Sequence, residues 1–245
     1  MIESAKKTPR KARRARKDKG LPRLNDRDRF ALRWIGQQYT IRFDQLQRLL
    51  ARQAGAATKT PGRLSVTRTC QIIERWERAG LVKYRKILVG EPGWIWLTRQ
   101  GLFHSGLDLR YYEPRHSALI HLFYINQCRL IMEEENDDVD EFRWISEREI
   151  RAQQERRQKG GKLEHVPDAI AQGQTETIDV EIELTAKTQE ELMRIMRGGA
   201  HTRSTNAIRY FASRTAKTAL KTAYKSLNGT ARKWIDIRDL RELDR

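Results

Sequence analysis

From Asp28 the run DRFALRWIGQQ sets Phe30, Leu32 and Ile35 on one helical stripe, and RFDQLQRLLARQ repeats the pattern with Phe43, Leu46, Leu49 and Leu50. After a connection rich in Gly, Ala and Pro, SVTRTCQIIERWERAG predicts a third helix. Cys70, Ile73 and Trp76 turn inward, Arg68, Gln71, Arg75 and Arg78 recur on another face, and Gly80 ends it. The period then changes. LVKYRKILV and WIWLT are β-prone runs on either side of GEPG, the pattern of a hairpin. The next segment, EPRHSALIHLFYINQCRLIMEEE, starts at Pro114 and carries Leu119, Ile120, Leu122, Phe123, Ile125, Leu130 and Ile131. That arc is too broad for a lone surface helix, so this one should be buried on more than one side, between domains or subunits. His116 and His121, five apart, do not share a helix face and read as structural.

In the second half ISEREI holds a Ser146 to Glu149 capping box, with Ile145 and Ile150 spaced as a hydrophobic staple, so a helix begins there. Glu149 is then a cap and Glu147 a secondary candidate to reach a metal. IDVEIEL alternates strictly, Ile178, Val180, Ile182 and Leu184 against Asp179, Glu181 and Glu183, which predicts a half-buried strand with a row of carboxylates on its other face. HVPDAIA, one QGQTET connection earlier, predicts the neighbouring strand and sets Asp168 beside Glu181 or Glu183. Such a row repels itself unless something positive covers it. Hard oxygen ligands drawn from two strands suit Mg2+ or Mn2+.

After the acidic strand, Thr188 and Glu191 form a second capping box, Leu192, Ile195 and Met196 the inner stripe of a helix, and Gly198 and Gly199 its expected end. Lys187 precedes that cap, and a turn over 185–188 would fold its ammonium back toward the acids. AIRYFAS and WIDI are further strands around the helix RTAKTALKTAYKSL, so the C-terminal half reads α-β-β-α-β-α-β.

Charge narrows the partner. Forty-nine Lys and Arg against thirty-two Asp and Glu give +17 over 245 residues, which favours a polyanion because each neutralised phosphate releases counterions. Residues 1–24 read as a disordered basic arm, either a solubilising tail or a non-specific phosphate-binding one. Two distant cysteines, Cys70 and Cys128, support neither a disulfide scaffold nor a cysteine zinc site, and fit a reducing cytoplasm. No run approaches the roughly 18 apolar residues of a membrane span, no secretory signal is visible, and no G-x-x-x-x-G-K-S/T loop points to a nucleotide-driven enzyme.

Helix, helix, helix, hairpin is the order of a winged helix over residues 25–110. The strings IIERWERAGLVKYRK and WIWLTRQGL resemble the recognition helix, wing and closing LT-x-x-G of bacterial winged-helix proteins. In such a domain Arg68, Gln71 and Arg75 would read the major groove and Lys83, Arg85 and Lys86 would lie on the wing. The alternative is a solvated charged face, or a protein-binding one.

A Pro-Asp strand, an acidic strand, then a helix and a strand resemble the core of the PD-(D/E)xK nuclease superfamily, here over residues 137–245, with residues 111–136 as linker helix. HVPD and VEIELTAKT, behind a winged helix, look more narrowly like the replication-relaxation family of plasmids and other mobile elements. The resemblance implies a mixed α/β fold, double-stranded DNA as partner, and phosphodiester hydrolysis with Asp168, Glu181 and Glu183 holding Mg2+ or Mn2+ and Lys187 holding the attacking water or the phosphorane oxygens. It also implies a cytoplasmic, nucleoid- or plasmid-associated location, with a homodimer and replication or transfer proteins as possible partners. His165 would contact phosphate or pack structurally. One departure stands out. Where the superfamily places a lysine two residues after the acid, this chain has Glu183, so only Lys187 is available, and a non-catalytic DNA-binding regulator or replication accessory is the alternative.

Overall fold

The computed structural model describes residues 23–53, 61–137, 141–157, 165–202 and 206–244. The basic arm expected over residues 1–24 lies outside them except for Arg23 and Leu24, as does most of the Gly, Ala and Pro connection. The chain is a mixed α/β structure with a three-stranded and a five-stranded sheet.

The N-terminal half runs α1 (Asp26–Gln37), β1 (Ile41–Arg42), α2 (Phe43–Arg52), α3 (Val66–Arg78), β2 (Val82–Arg85), β3 (Trp94–Leu97) and α4 (Arg99–His104). Asn25 caps α1 through a capping box with Asp28. Ser65 caps α3, which ends in a Schellman motif: the Leu81 N–H donates to the Trp76 carbonyl (2.9 Å) and the Gly80 N–H to that of Glu77 (2.8 Å), with Gly80 at φ 69°. The buried residues of α3 are Thr69, Ile72, Ile73 and Trp76, while Cys70 is only half-buried, because one face of an α-helix cannot place residues 69, 70, 72, 73 and 76 equally deep. The hairpin strands are shorter than expected, since residues 86–93 form the loop between β2 and β3. The two-residue β1 pairs with β3 on its other side, giving the order β1-β3-β2, all antiparallel.

Thr98 ties this unit together. Its backbone N–H donates to the Leu81 carbonyl at 2.9 Å, its hydroxyl to the Gly80 carbonyl at 2.5 Å, and the same hydroxyl oxygen accepts from the Gly101 N–H at 3.0 Å as the N-cap of α4. Gly101 lies so close to the Leu81 carbonyl that a Cβ would overlap it.

Helix α5 (Leu119–Glu135), entered through a 3-10 turn at His116–Ala118, joins the halves. Its Leu130 packs into the N-terminal core around Trp34, Leu46 and Trp76; its Leu122, Ile125, Cys128 and Ile131 pack into the core under the larger sheet. Burial on more than one side follows from serving two cores at once. Arg129, also buried, ties α5 to α1 by donating to Glu133 Oε1 (2.6 Å) on its own helix and to Gln37 Oε1 (2.9 Å) on α1, with its guanidinium against the Trp34 ring.

The C-terminal half runs β4 (Arg143–Ser146), α6 (Glu147–Arg157), β5 (Ala169–Gln172), β6 (Thr177–Glu183), α7 (Gln189–Thr202), β7 (Ala207–Ala212), α8 (Arg214–Lys225), the short α9 (Gly229–Arg232) and β8 (Ile235–Asp239). The sheet order is β4-β5-β6-β7-β8, antiparallel from β4 to β6 and parallel from β6 to β8. One face packs on α5, with Ile178, Val180, Ile182 and Phe211 inward; the other packs on α7 and α8 through Ile208, Tyr210, Leu192, Met196 and Leu220.

This layering corrects the reading of β6. It is the central strand, covered on both faces, and not half-buried: Asp179, Glu181 and Glu183 are 0, 5 and 5% exposed. Helix α7 also continues past Gly198 and Gly199 to Thr202 and is not ended by them, since glycine breaks a helix only weakly against favourable packing of Leu192, Ile195 and Met196. No helix among the described residues is long and apolar enough to cross a membrane.

Candidate active site

The antiparallel register of β5 and β6 pairs Ala169 with Val180 and Ile170 with Asp179. One step further along, Asp168 stands opposite Glu181, where the strand ends open into a cavity of about 660 Å³ that Asp168, Glu181, Glu183, Lys187, His121 and His165 all line. Asp168 Oδ2 accepts from the Ile182 N–H at 2.7 Å, which holds the carboxylate over the end of β6.

His121, on α5, reaches the same point. Its Nε2 lies 3.2 Å from Asp168 Oδ2 and 3.1 Å from the Ile182 carbonyl oxygen. Both neighbours are acceptors, so Nε2 carries the proton. Burial draws the imidazole pKa down, but the hydrogen bond and charge of Asp168 outweigh it and raise His121 to about 8. His121 is therefore part of the site and not the structural residue its spacing from His116 suggested; His116 itself is exposed.

The remaining acids carry their own partners. His165 Nε2 lies 2.7 Å from Glu181 Oε1, and Lys187 folds back through the turn after β6 so that its ammonium pairs with Glu183 Oε1. Burial first, and then the charge of Asp168, push Glu181 well above the ordinary carboxylate range; Lys187 offsets part of this. Glu183 is raised by burial, with Lys187 opposing. Lys187 is lowered by burial and raised by Glu183, with a net rise. The site thus holds more buried negative charge than its burial tolerates, and attracts protons or cations.

Helix α6 closes the cavity. Ser146 and Glu149 form the expected box, Ser146 N–H donating to Glu149 Oε2 at 3.1 Å, and the next residue, Glu147, enters the cavity wall. Glu147 is held by Arg151 at 2.6 Å and by the Tyr39 hydroxyl at 3.3 Å. Tyr39 comes from the N-terminal half, as do Gln37, which donates to Glu149 (3.0 Å), and Gly36, whose carbonyl accepts from Arg148. The last turn of α1 and Tyr39 just after it are thereby fastened to the helix that walls the acidic cavity. Tyr39, Arg151 and Arg194, the last an α7 residue that also lines the cavity, could not be found from spacing. For His121 there was one signal, a titratable side chain in a broadly apolar helix.

Among the described residues no group of three or more His, Cys, Asp and Glu side chains is gathered closely enough to hold a metal ion. The arrangement offers two facing carboxylates, Asp168 and Glu181, with Glu183 two residues further along β6, each engaged by a cation or an N–H.

The candidate DNA-contacting residues divide in two. Arg68 and Gln71 are exposed near the start of α3 and bond each other at 3.3 Å, and Arg85 and Lys86 are exposed where β2 meets its loop. Arg75 instead donates to Asp28 Oδ1 at 2.5 Å, compensating a fully buried carboxylate on α1, and Lys83 pairs with Glu113 at 3.3 Å. No protein-family model, curated protein or solved structure matches the chain.

Proposed function

We propose that this chain is a DNA-binding, Mg2+- or Mn2+-dependent phosphodiester hydrolase, an endonuclease or nickase acting in the replication or transfer of a plasmid or other mobile element. In this reading α1 to β3 form a winged helix with α3 as recognition helix, and the five-stranded sheet with α5 and α7 forms a PD-(D/E)xK-like core. The observation that carries it is the facing pair Asp168 and Glu181 in one cavity with Glu183 and Lys187. The order of β4, β5 and β6 as an antiparallel run, followed by α7 and a parallel β7, supports the same reading.

Two of the donors, the facing carboxylates of Asp168 and Glu181, are hard oxygens of the kind a divalent cation takes, and Glu183 would have to leave Lys187 to complete the set. Glu181 is buried beside Asp168 and is short of positive charge, and oxygen ligands from two strands leave room for several waters, as Mg2+ requires. Asp168 and Glu181, with Glu183, would hold the ion, which would supply acidified water and charge neutralisation at the scissile phosphate. Lys187 would release Glu183 to hold phosphate oxygens as charge develops, and His121 would keep Asp168 oriented. Arg68, Gln71, Arg85 and Lys86 would grip the duplex.

A second reading, a non-catalytic DNA-binding regulator or replication accessory, is favoured by one specific feature: His121, His165 and Lys187 already occupy the carboxylates. The two are separated by incubating the protein with supercoiled DNA in Mg2+ or Mn2+. Hydrolysis predicts nicked product that EDTA, Asp168→Ala or Glu181→Ala abolishes. Binding without product, unchanged by EDTA, selects the regulator.

A further inference from the structure

We propose that a second cavity, walled by Tyr39, Tyr111, Tyr112, Arg110 and Glu155, receives one unpaired nucleotide of a DNA strand whose backbone continues into the acidic cavity. The site rests on the DNA-processing reading above and specifies its substrate, DNA carrying an unpaired base in place of uninterrupted duplex.

The cavity measures about 280 Å³, near the lower limit of small-ligand sites, about 300 Å³, a space for a nucleotide and not for a helix. Three tyrosine rings line it. Aromatic faces hold bases of any sequence because every base presents a π-face. Tyr39 is fixed in place, with Arg148 over its ring at 4.6 Å and Tyr112 edge-on at 4.6 Å. Its backbone sits at φ 70°, the only non-glycine residue in the left-handed region among those described. Such strain in a tyrosine persists only where the surroundings enforce it, and it concentrates at functional positions.

The charged groups suit the two ends of a nucleotide. Arg110 pairs with Glu155 at 3.3 Å, but its side chain is 88% exposed, so the pair is weak and the guanidinium can exchange the carboxylate for a phosphate. Glu155 would then accept from an exocyclic amino group, as carboxylates do from cytosine. The two cavities adjoin: Arg151 lines both, and the Tyr39 hydroxyl bonds Glu147 in the wall of the acidic one. A base lodged here places the following phosphates toward Asp168 and Glu181.

The test measures binding in EDTA, by fluorescence anisotropy, of one duplex and of the same duplex with a single unpaired nucleotide, using the full chain. The wild type should prefer the second DNA by about ten-fold. Tyr111→Ala and Arg110→Ala, both in an extended surface segment, should erase that preference and leave plain-duplex affinity unchanged, and Tyr111→Phe should restore it. Equal affinity of the wild type for both DNAs, or a preference that survives Tyr111→Ala, overturns the site while leaving duplex binding intact. Failure to bind either DNA overturns the DNA-processing reading together with the site, a distinct result.

Discussion

His121 Nε2 stands 3.2 Å from Asp168 Oδ2, although the two residues come from a helix and a strand end that have no local connection in the chain. The pairing raises His121 to about 8, above its usual value of about 6.5. A histidine raised in the folded state adds stability that is complete below the unfolded pKa and lost as pH rises through the folded one. Stability measured by urea unfolding should therefore fall between about pH 6.5 and pH 8. His121→Gln should remove that part of the pH dependence, and an imidazole NMR titration of His121 should show a midpoint near 8.

Lys187 and Glu183 test the buried charge directly. Lys187→Ala leaves Glu183, 5% exposed, without its ammonium partner, and should cost about 1–3 kcal/mol, below the value for a fully buried pair because Lys187 is partly exposed. Glu183→Gln in the same chain should recover much of this, since it removes the charge left unpaired. A double-mutant cycle by chemical denaturation measures the coupling, and additivity of the two changes would contradict the pairing.

Gly101 is where two backbones meet. Gly101→Ala would press a methyl into the Leu81 carbonyl, which the Thr98 N–H holds by a hydrogen bond of 2.9 Å. Neither side can retreat without breaking the cap of α4, so a loss of about 1–3 kcal/mol is expected. Thermal unfolding of the variant measures it; an unchanged midpoint would show that the contact yields freely.

What the sequence disclosed follows from range. Ser146 with Glu149, Gly80 after α3 and the alternation of residues 178–183 are local devices, and each is read within one or two turns of chain. The facing of Asp168 and Glu181 was legible because a short hairpin connects their strands. Strand β4 was not: Arg143–Ser146 is four residues long, and only Trp144 and Ser146 are buried, too few to set a period. The burial of β6 on both faces depends on α7 and α8 arriving later in the chain, and three carboxylates in such a strand run against the apolar pattern expected there. The roles of His121, Tyr39 and Arg75 depend on partners 47 to 108 residues away, beyond any local signal.

Arg68 and Arg75 lie on the same helix, two turns apart, yet should respond differently. Arg68 is exposed and its guanidinium bonds Gln71, so Arg68→Ala should leave stability within about 0.5 kcal/mol, while weakening DNA binding and reducing the salt dependence of the affinity by about one unit of slope per lost phosphate contact. Arg75 donates to Asp28, which is fully buried. Arg75→Ala removes the nearest cation from that carboxylate, leaving it the Asn25 N–H and Arg27 at 3.6 Å, and should cost about 1–3 kcal/mol of folding free energy, whatever its effect on DNA. Unfolding curves combined with anisotropy titrations at several salt concentrations separate the two effects. A stability loss in Arg68→Ala, or a fully stable Arg75→Ala, would reverse the assignment of one residue to the DNA surface and the other to the joint between α1 and α3.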